Sequence, residues 1–194
     1  MKNIAVYCGA SLGNNPIFTE EASALGRILA ERKINLIYGG GCVGLMGTIA
    51  NAVLKFGGHV IGVIPEKLVI KNIVHDKLPD LRIVKNMHER KALMAELADG
   101  FIAMPGGFGT FEEFFEVLTW TQLGFHKKPV GLLNVNNFYT PLLAFLDGTV
   151  DAGFVKASHR KLIAVDSDPA ILVDKLHAAP VNVEAKWDHL TKAA

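Results

Sequence analysis

The chain has 194 residues, half of them apolar, and a formal net charge of +1. That length and composition suit one α/β domain with a full core, and the near balance of basic and acidic residues leaves no broad cationic footprint for nucleic acid. No apolar run reaches bilayer-spanning length, and Met1 to Val6 runs straight into a strand pattern without a signal-peptide core, so a cytoplasmic protein with no membrane partner is expected.

In chain order, strand-like runs at Ile4–Cys8, Asn35–Tyr38, His59–Ile64, Leu81–Val84, Gly100–Met104, Pro129–Asn134 and Leu162–Val165 alternate with helical patterns. The helices are expected at Pro16–Arg32, Leu45–Phe56, Asn86–Ala98, Thr110–Leu123, Tyr139–Asp151 and Pro169–Ala178, several opened by proline or a capping residue. Such alternation predicts a doubly wound parallel sheet with helices on both faces, in one domain over residues 1–180. Residues 181–194 read as a loosely held tail. On the fourth helix, Phe111, Phe114, Phe115, Leu118 and Gln122 form a stripe read as core, with a subunit interface as the alternative. Cys8 and Cys42 lack CxxC spacing and read as buried thiols with no assigned chemistry.

In open sheets of this kind ligands settle beyond the carboxyl ends of the strands, and three of those loops are rich in glycine. After the first strand come Gly9, Ala10 and Ser11, small enough to let a ligand pass close to the backbone. After the second comes Gly39-Gly40-Gly41-Cys42-Val43-Gly44-Leu45-Met46-Gly47, in which Gly39, Gly41 and Gly44 match GxGxxG. The usual dinucleotide fingerprint follows the first strand, not the second, so an NAD(P)-linked oxidoreductase, with Glu66 as its ribose acid, is the lesser alternative. No GxxxxGK[ST] phosphate loop occurs.

The third loop is the most informative. Pro105-Gly106-Gly107-Phe108-Gly109-Thr110-Phe111-Glu112-Glu113 joins a strand to a helix start through a glycine turn. The free N–H groups and positive dipole end of a helix favour an anion, and two carboxylates stand beside that cradle. Upstream, Met87-His88-Glu89-Arg90-Lys91 opens a helix with two cations where the helix dipole disfavours them. An anionic ligand or a carboxylate partner would repair the mismatch, and the planar fork of Arg90 suits either. His88 reads as structural, and no histidine has metal-ligand spacing, so neither metal nor cofactor is assigned.

Through these motifs the chain resembles the LOG (Lonely Guy) family of nucleoside-monophosphate phosphoribohydrolases, which release cytokinin bases from their riboside 5′-monophosphates. The resemblance rests on Met87 to Lys91, similar to M-H-x-R-K, on Pro105 to Glu113, similar to P-G-G-x-G-T-x-E-E, and on Gly39 to Gly41 with Gly44 to Gly47. It implies a Rossmann-like fold, a homodimer and cleavage of an N-glycosidic bond of a purine nucleoside 5′-monophosphate, with Arg90 and Glu113 as the catalytic pair. Substrate contacts are expected from Arg90, Lys91, the run from Gly107 through Phe108, Gly109, Thr110 and Glu112 to Glu113, and Thr119, with Gly9, Ser11, Gly40, Gly41, Met46 and Gly106 nearby.

In the expected chemistry, Gly107 to Thr110, helped by Gly40 and Gly41, hold the phosphate, and Glu113 faces the ribose. Glu112 complements the helix dipole or bonds to Arg90. Asn72 stands where bacterial relatives often carry a glutamate, which touches base recognition more than bond cleavage. A sensing protein that binds a purine nucleotide without turnover is the alternative from another class. Family members often carry an old lysine decarboxylase label, but nothing in this sequence suggests a pyridoxal phosphate site.

Overall fold

In the computed structural model, residues 1–70 and 73–178 are described. Seven strands, β1 (Asn3–Tyr7), β2 (Asn35–Tyr38), β3 (Val60–Pro65), β4 (Asp80–Val84), β5 (Gly100–Ala103), β6 (Val130–Leu133) and β7 (Ile163–Asp166), form one sheet. Its order is β4-β3-β2-β1-β5-β6-β7, and every pairing is parallel. The helices are α1 (Ile17–Glu31), α2 (Gly44–Lys55), α3 (Met87–Leu97), α4 (Phe108–Leu123), α5 (Thr140–Asp151), α6 (Ala157–Arg160) and α7 (Pro169–Ala178). Among the described residues no helix is long and apolar enough to cross a membrane.

The central strands are continuous apolar runs because both faces of the sheet are covered. Successive side chains of a strand point to opposite faces. From β1 and the residue after it, Ile4, Val6 and Cys8 therefore join one core with Leu25 and Leu29 of α1, Ile49 and Val53 of α2 and Leu172 of α7. Ala5 and Tyr7 join the other core with Met94 of α3 and Phe114 and Val117 of α4. Phe111, Phe115 and Leu118 pack against that second core, as the stripe on the fourth helix leads one to expect.

The chain runs outward from β1 through β2, β3 and β4, then crosses back to place β5 on the other side of β1, with Ile4 opposite Gly100 and Tyr7 opposite Ala103. The connections that leave β1 and β5 therefore diverge, and this switch point is where an open α/β sheet has a crevice.

Each expected strand and helix is present, with three differences. Helix α4 begins at Phe108 rather than Thr110. A glycine at position 109 lowers helix propensity, but first-turn N–H groups lack helical partners in any sequence, so the helix tolerates it there. The four-residue α6 was not expected, being too short to show periodicity. Cys42 is exposed instead of buried. The expected tail, 181–194, and Asn72 lie outside the described residues.

Candidate active site

The switch-point crevice is built by backbone close approach. Gly9 N donates to Pro105 O at 3.0 Å, which ties the loop after β1 to the loop after β5, and Leu45 N donates to Gly9 O at 3.0 Å, which ties in the start of α2. Gly44 has φ +58°, and a side chain there would overlap the backbone of Ala10 and Ser11. A side chain at Gly106 would overlap Thr110 and come within 2.9 Å of Gly9 N. These glycines let three loops converge.

Helix α3 delivers the cations. Asn86 caps it, its side chain accepting from Glu89 N at 2.9 Å, while Glu89 Oε2 accepts from Lys85 N at 3.0 Å. This reciprocal box fixes the first turn. One residue further on, Arg90 reaches across to α4, where its Nη2 lies 3.0 Å from Glu113 Oε1, with the two side chains only 12% and 9% exposed. This is an ion pair by distance, yet no N–H is aimed along it. Arg90 Nε and Glu113 Oε1 are both buried without a hydrogen-bond partner, which leaves donor and acceptor capacity unused beside the crevice that both residues line.

Burial pushes the Glu113 carboxyl above its ordinary range; the Arg90 charge opposes that, and Glu112 adds to it. Tyr7 and Cys8, on the wall beside it, are pushed up by burial and then by the Glu113 charge, so both are neutral there.

Lys91 points elsewhere. Its Nζ bonds the Glu112 carboxylate closely and Glu116 Oε1 at 2.9 Å, and its side chain is 10% exposed. Burial disfavours its charge, but the two carboxylates outweigh that and raise its pKa. The carboxylate partners that the sequence requires for both cations are therefore present. Of the two roles expected for Glu112, the bond to Arg90 is not formed: its partner is Lys91.

The resulting cleft, about 230 Å³, is lined by Gly9, Met46, Arg90, Gly107, Gly109, Thr110, Glu112 and Glu113 among the expected residues. Its floor is the start of α4, which has no side-chain cap, so backbone N–H groups of its first turn are available to an anion.

Several expected contacts lie elsewhere. Ser11 is exposed outside the cleft, and Phe108, 92% exposed, points to solvent. Gly40 faces Ile64 and Leu81, and its carbonyl accepts from His75 N. Gly41 forms a bridge with Val74. Gly106 shapes the turn without lining the cleft. Thr119 borders a separate apolar cavity with Phe115, Leu118 and Leu146.

Sequence reasoning missed Gly39 as a site residue, along with Tyr7, Cys8 and Met87, which also line the cleft. For Tyr7 and Cys8 the available signal was position, at the carboxyl end of the strand beside the switch point. For Gly39 it was a glycine closing β2. The three glycines of the GxGxxG match serve packing: Gly39 lies under the Arg90 guanidinium, Gly41 against Met46 and Gly44 against the β1 loop.

A family model described as possible lysine decarboxylase matches residues 46–176. A cytokinin riboside 5′-monophosphate phosphoribohydrolase of Arabidopsis thaliana is 47% identical over 190 residues, covering 98% of this chain and 86% of the relative. One from Oryza sativa subsp. japonica is 48% identical over 96% of this chain and 78% of its own. The chain belongs to the LOG family. A Rossmann-like fold agrees with solved structures at the level of architecture. The molybdenum cofactor binding protein of Rippkaea orientalis superposes with a TM-score of 0.70 at 22% identity, covering 92% of this chain and 97% of that one. The molybdenum cofactor carrier protein of Chlamydomonas reinhardtii gives a TM-score of 0.69 at 23% identity, covering 91% and 98%.

The decarboxylase description of the family model implies pyridoxal phosphate, which needs a lysine amine facing the cleft. Among the described residues no lysine lines the cleft, and the nearest in sequence to Arg90 has its ammonium held between two carboxylates. The cleft residues do not fit that group.

Proposed function

We propose that this protein is a hydrolase that cleaves the N-glycosidic bond of a purine riboside 5′-monophosphate, of the cytokinin or adenosine type, to give the free base and ribose 5-phosphate. Near-full-length identity to enzymes of that name supports the reaction. The observation that carries the site is the buried Arg90–Glu113 pair, with unused hydrogen-bonding capacity, beside the uncapped start of α4.

In this reading the 5′-phosphate accepts hydrogen bonds from backbone N–H groups of Gly107 to Thr110 and meets the Arg90 guanidinium. The cleft is smaller than the roughly 300–1,000 Å³ of pockets that enclose a drug-sized ligand. The ribose phosphate therefore lies inside and the base toward the mouth. As the bond from C1′ to the base nitrogen breaks, the base leaves with the electron pair and positive charge builds on the ribose. The Glu113 carboxylate stabilises that charge and takes the proton of the water that adds at C1′, while the departing base nitrogen takes up a proton from solvent and Glu113 then returns its own to solvent. Arg90 keeps Glu113 charged despite its burial.

Assembly as a homodimer in the cytoplasm is part of the same proposal; the exposed Phe125, Phe145 and Phe154 support an apolar contact surface. The test is to incubate the purified protein with purine and pyrimidine nucleosides and their 5′-monophosphates, including AMP and an N6-prenylated AMP, and to separate base from nucleotide. Free purine and ribose 5-phosphate are expected from the monophosphates and not from the nucleosides. Intact nucleotide across the panel would overturn the proposal.

A further inference from the structure

We infer that Lys91 is a positioning residue that acts through Glu112 and Glu116 to preserve the charge of Glu113, and that it is not a ligand of the substrate phosphate. The geometry carries this. Lys91 is adjacent to Arg90 on α3 but does not itself line the cleft; its ammonium is held between Glu112, which does, and Glu116, one helical turn apart on α4. Glu113 lies about 100° around the helix from Glu112, so α3 grips α4 twice, through Arg90 on Glu113 and through Lys91 on Glu112 and Glu116.

The charge count around Glu113 explains what the second grip does. The groups that face it are Arg90 and Lys91 from α3, Glu112 and Glu116 from α4, and the neutral Tyr7 and Cys8 from β1. Without Lys91, three carboxylates would share the first three turns of α4 opposite one guanidinium. Like charges at that range raise a carboxyl pKa, and burial has already raised that of Glu113. Lys91 offsets both neighbours, and its own raised pKa keeps it protonated where they are ionised. A lysine aimed at substrate phosphate would line the cleft with its ammonium unpaired, whereas this one is absent from the lining and held by two carboxylates.

This inference rests on the reading of Glu113 as the carboxylate that acts on the ribose. It is tested by the pH dependence of AMP hydrolysis and, without substrate, by carbon-13 NMR titration of glutamate carboxyls, with Glu113 assigned by its loss in Glu113→Gln. In Lys91→Met the acid limb of kcat/KM and the Glu113 titration both move up by about one pH unit. The KM for AMP at pH 8 changes less than threefold. Lys91→Arg, which keeps the cation, returns both curves toward wild type.

If Lys91→Met does not fold, the triple variant Lys91→Met/Glu112→Gln/Glu116→Gln decides. A KM for AMP within threefold of wild type and an unshifted Glu113 titration support the inference. A KM raised tenfold or more with an unmoved titration in either variant overturns it and makes Lys91 a phosphate ligand. Absence of turnover by the wild-type protein would instead sink the proposed function, while the substrate-free titration still judges this inference.

Discussion

Gly39 and Arg90 are complementary in space: the guanidinium occupies the volume that any side chain at position 39 would need. The glycine that follows β2 therefore sets where the guanidinium of α3 lies, although the two residues are far apart in sequence. Arg90 is in turn fixed at its other edge by Met87, whose Sδ lies 3.8 Å from Nη1.

Replacing Gly39 with alanine tests that relationship. The backbone there needs no left-handed conformation, so the cost falls on the displaced guanidinium. We expect kcat/KM for AMP to fall by about tenfold or more, a loss of transition-state stabilisation of about 1.4 kcal/mol. The circular dichroism melt should move by only a few degrees. Unchanged kinetics would show that Arg90 acts from another position.

The ion pair itself yields opposite demands on activity and stability. Glu113→Gln should lower kcat by about 10²–10⁴ fold, the range for losing a positioned base, as read by base release at saturating AMP. Arg90→Lys should not restore an Arg90→Ala defect, because an ammonium lacks the planar fork.

The stability effect of Glu113 has a definite sign. Its folded carboxyl titrates above the ordinary 4.5, so the folded state holds that proton more tightly than the unfolded chain. Its contribution is present below the unfolded pKa and is lost as pH rises through the folded one. Urea unfolding should therefore show the difference between Glu113→Gln and wild type shifting in favour of the variant between pH 4.5 and 8. A difference independent of pH would contradict the raised carboxyl.

His126 works in the other direction. It packs between Phe101 and Trp120, with ring centroids 5.4 and 6.5 Å away. Its Nδ1 accepts from Lys128 N at 3.2 Å, which places the proton on the buried Nε2, and that atom has no hydrogen-bond partner. Burial, aided by the Lys128 charge, lowers its pKa to about 4. The unfolded chain thus takes up the proton first as pH falls, so stability is lost from about pH 6.5 toward pH 4. In His126→Phe the urea midpoint should fall less over that window than in wild type. Parallel curves for the two proteins would refute the assignment.

Tyr139 offers a test of the core behind the site. Its hydroxyl, fully buried, donates to Met104 O at 2.6 Å, just before the glycine turn of the β5 loop. Tyr139→Phe should cost about 1–2 kcal/mol in urea unfolding, the loss of one buried hydrogen bond. Its effect on kcat should be smaller than that of Gly39→Ala.

Much of this protein was legible in its sequence, because periodicity and turn chemistry are local. Alternating apolar strands and amphipathic helices implied the doubly wound sheet, and the run from Gly107 to Glu113 marked a helix start fit for an anion. The unfavourable placement of Arg90 and Lys91 at a helix start implied that carboxylates or anions would face them.

Residue types and spacing alone could not assign the pairing, which only the family resemblance suggested as Arg90 with Glu113. Arg90 and Glu113 meet because the crossover between β4 and β5 packs α3 beside α4 on one face of the sheet. Glu112, one residue away, turns to Lys91 because a helix rotates each side chain about 100° from the last. The glycine cluster after β2 reads as a dinucleotide motif until packing shows Gly39 under Arg90 and Gly44 against the β1 loop. Residue types and local geometry determined by themselves that this chain would make an anion cradle with acids beside it. Only the tertiary structure decided which acid meets the arginine and which the lysine, because that choice depends on helix rotation and on contacts between residues distant in the chain.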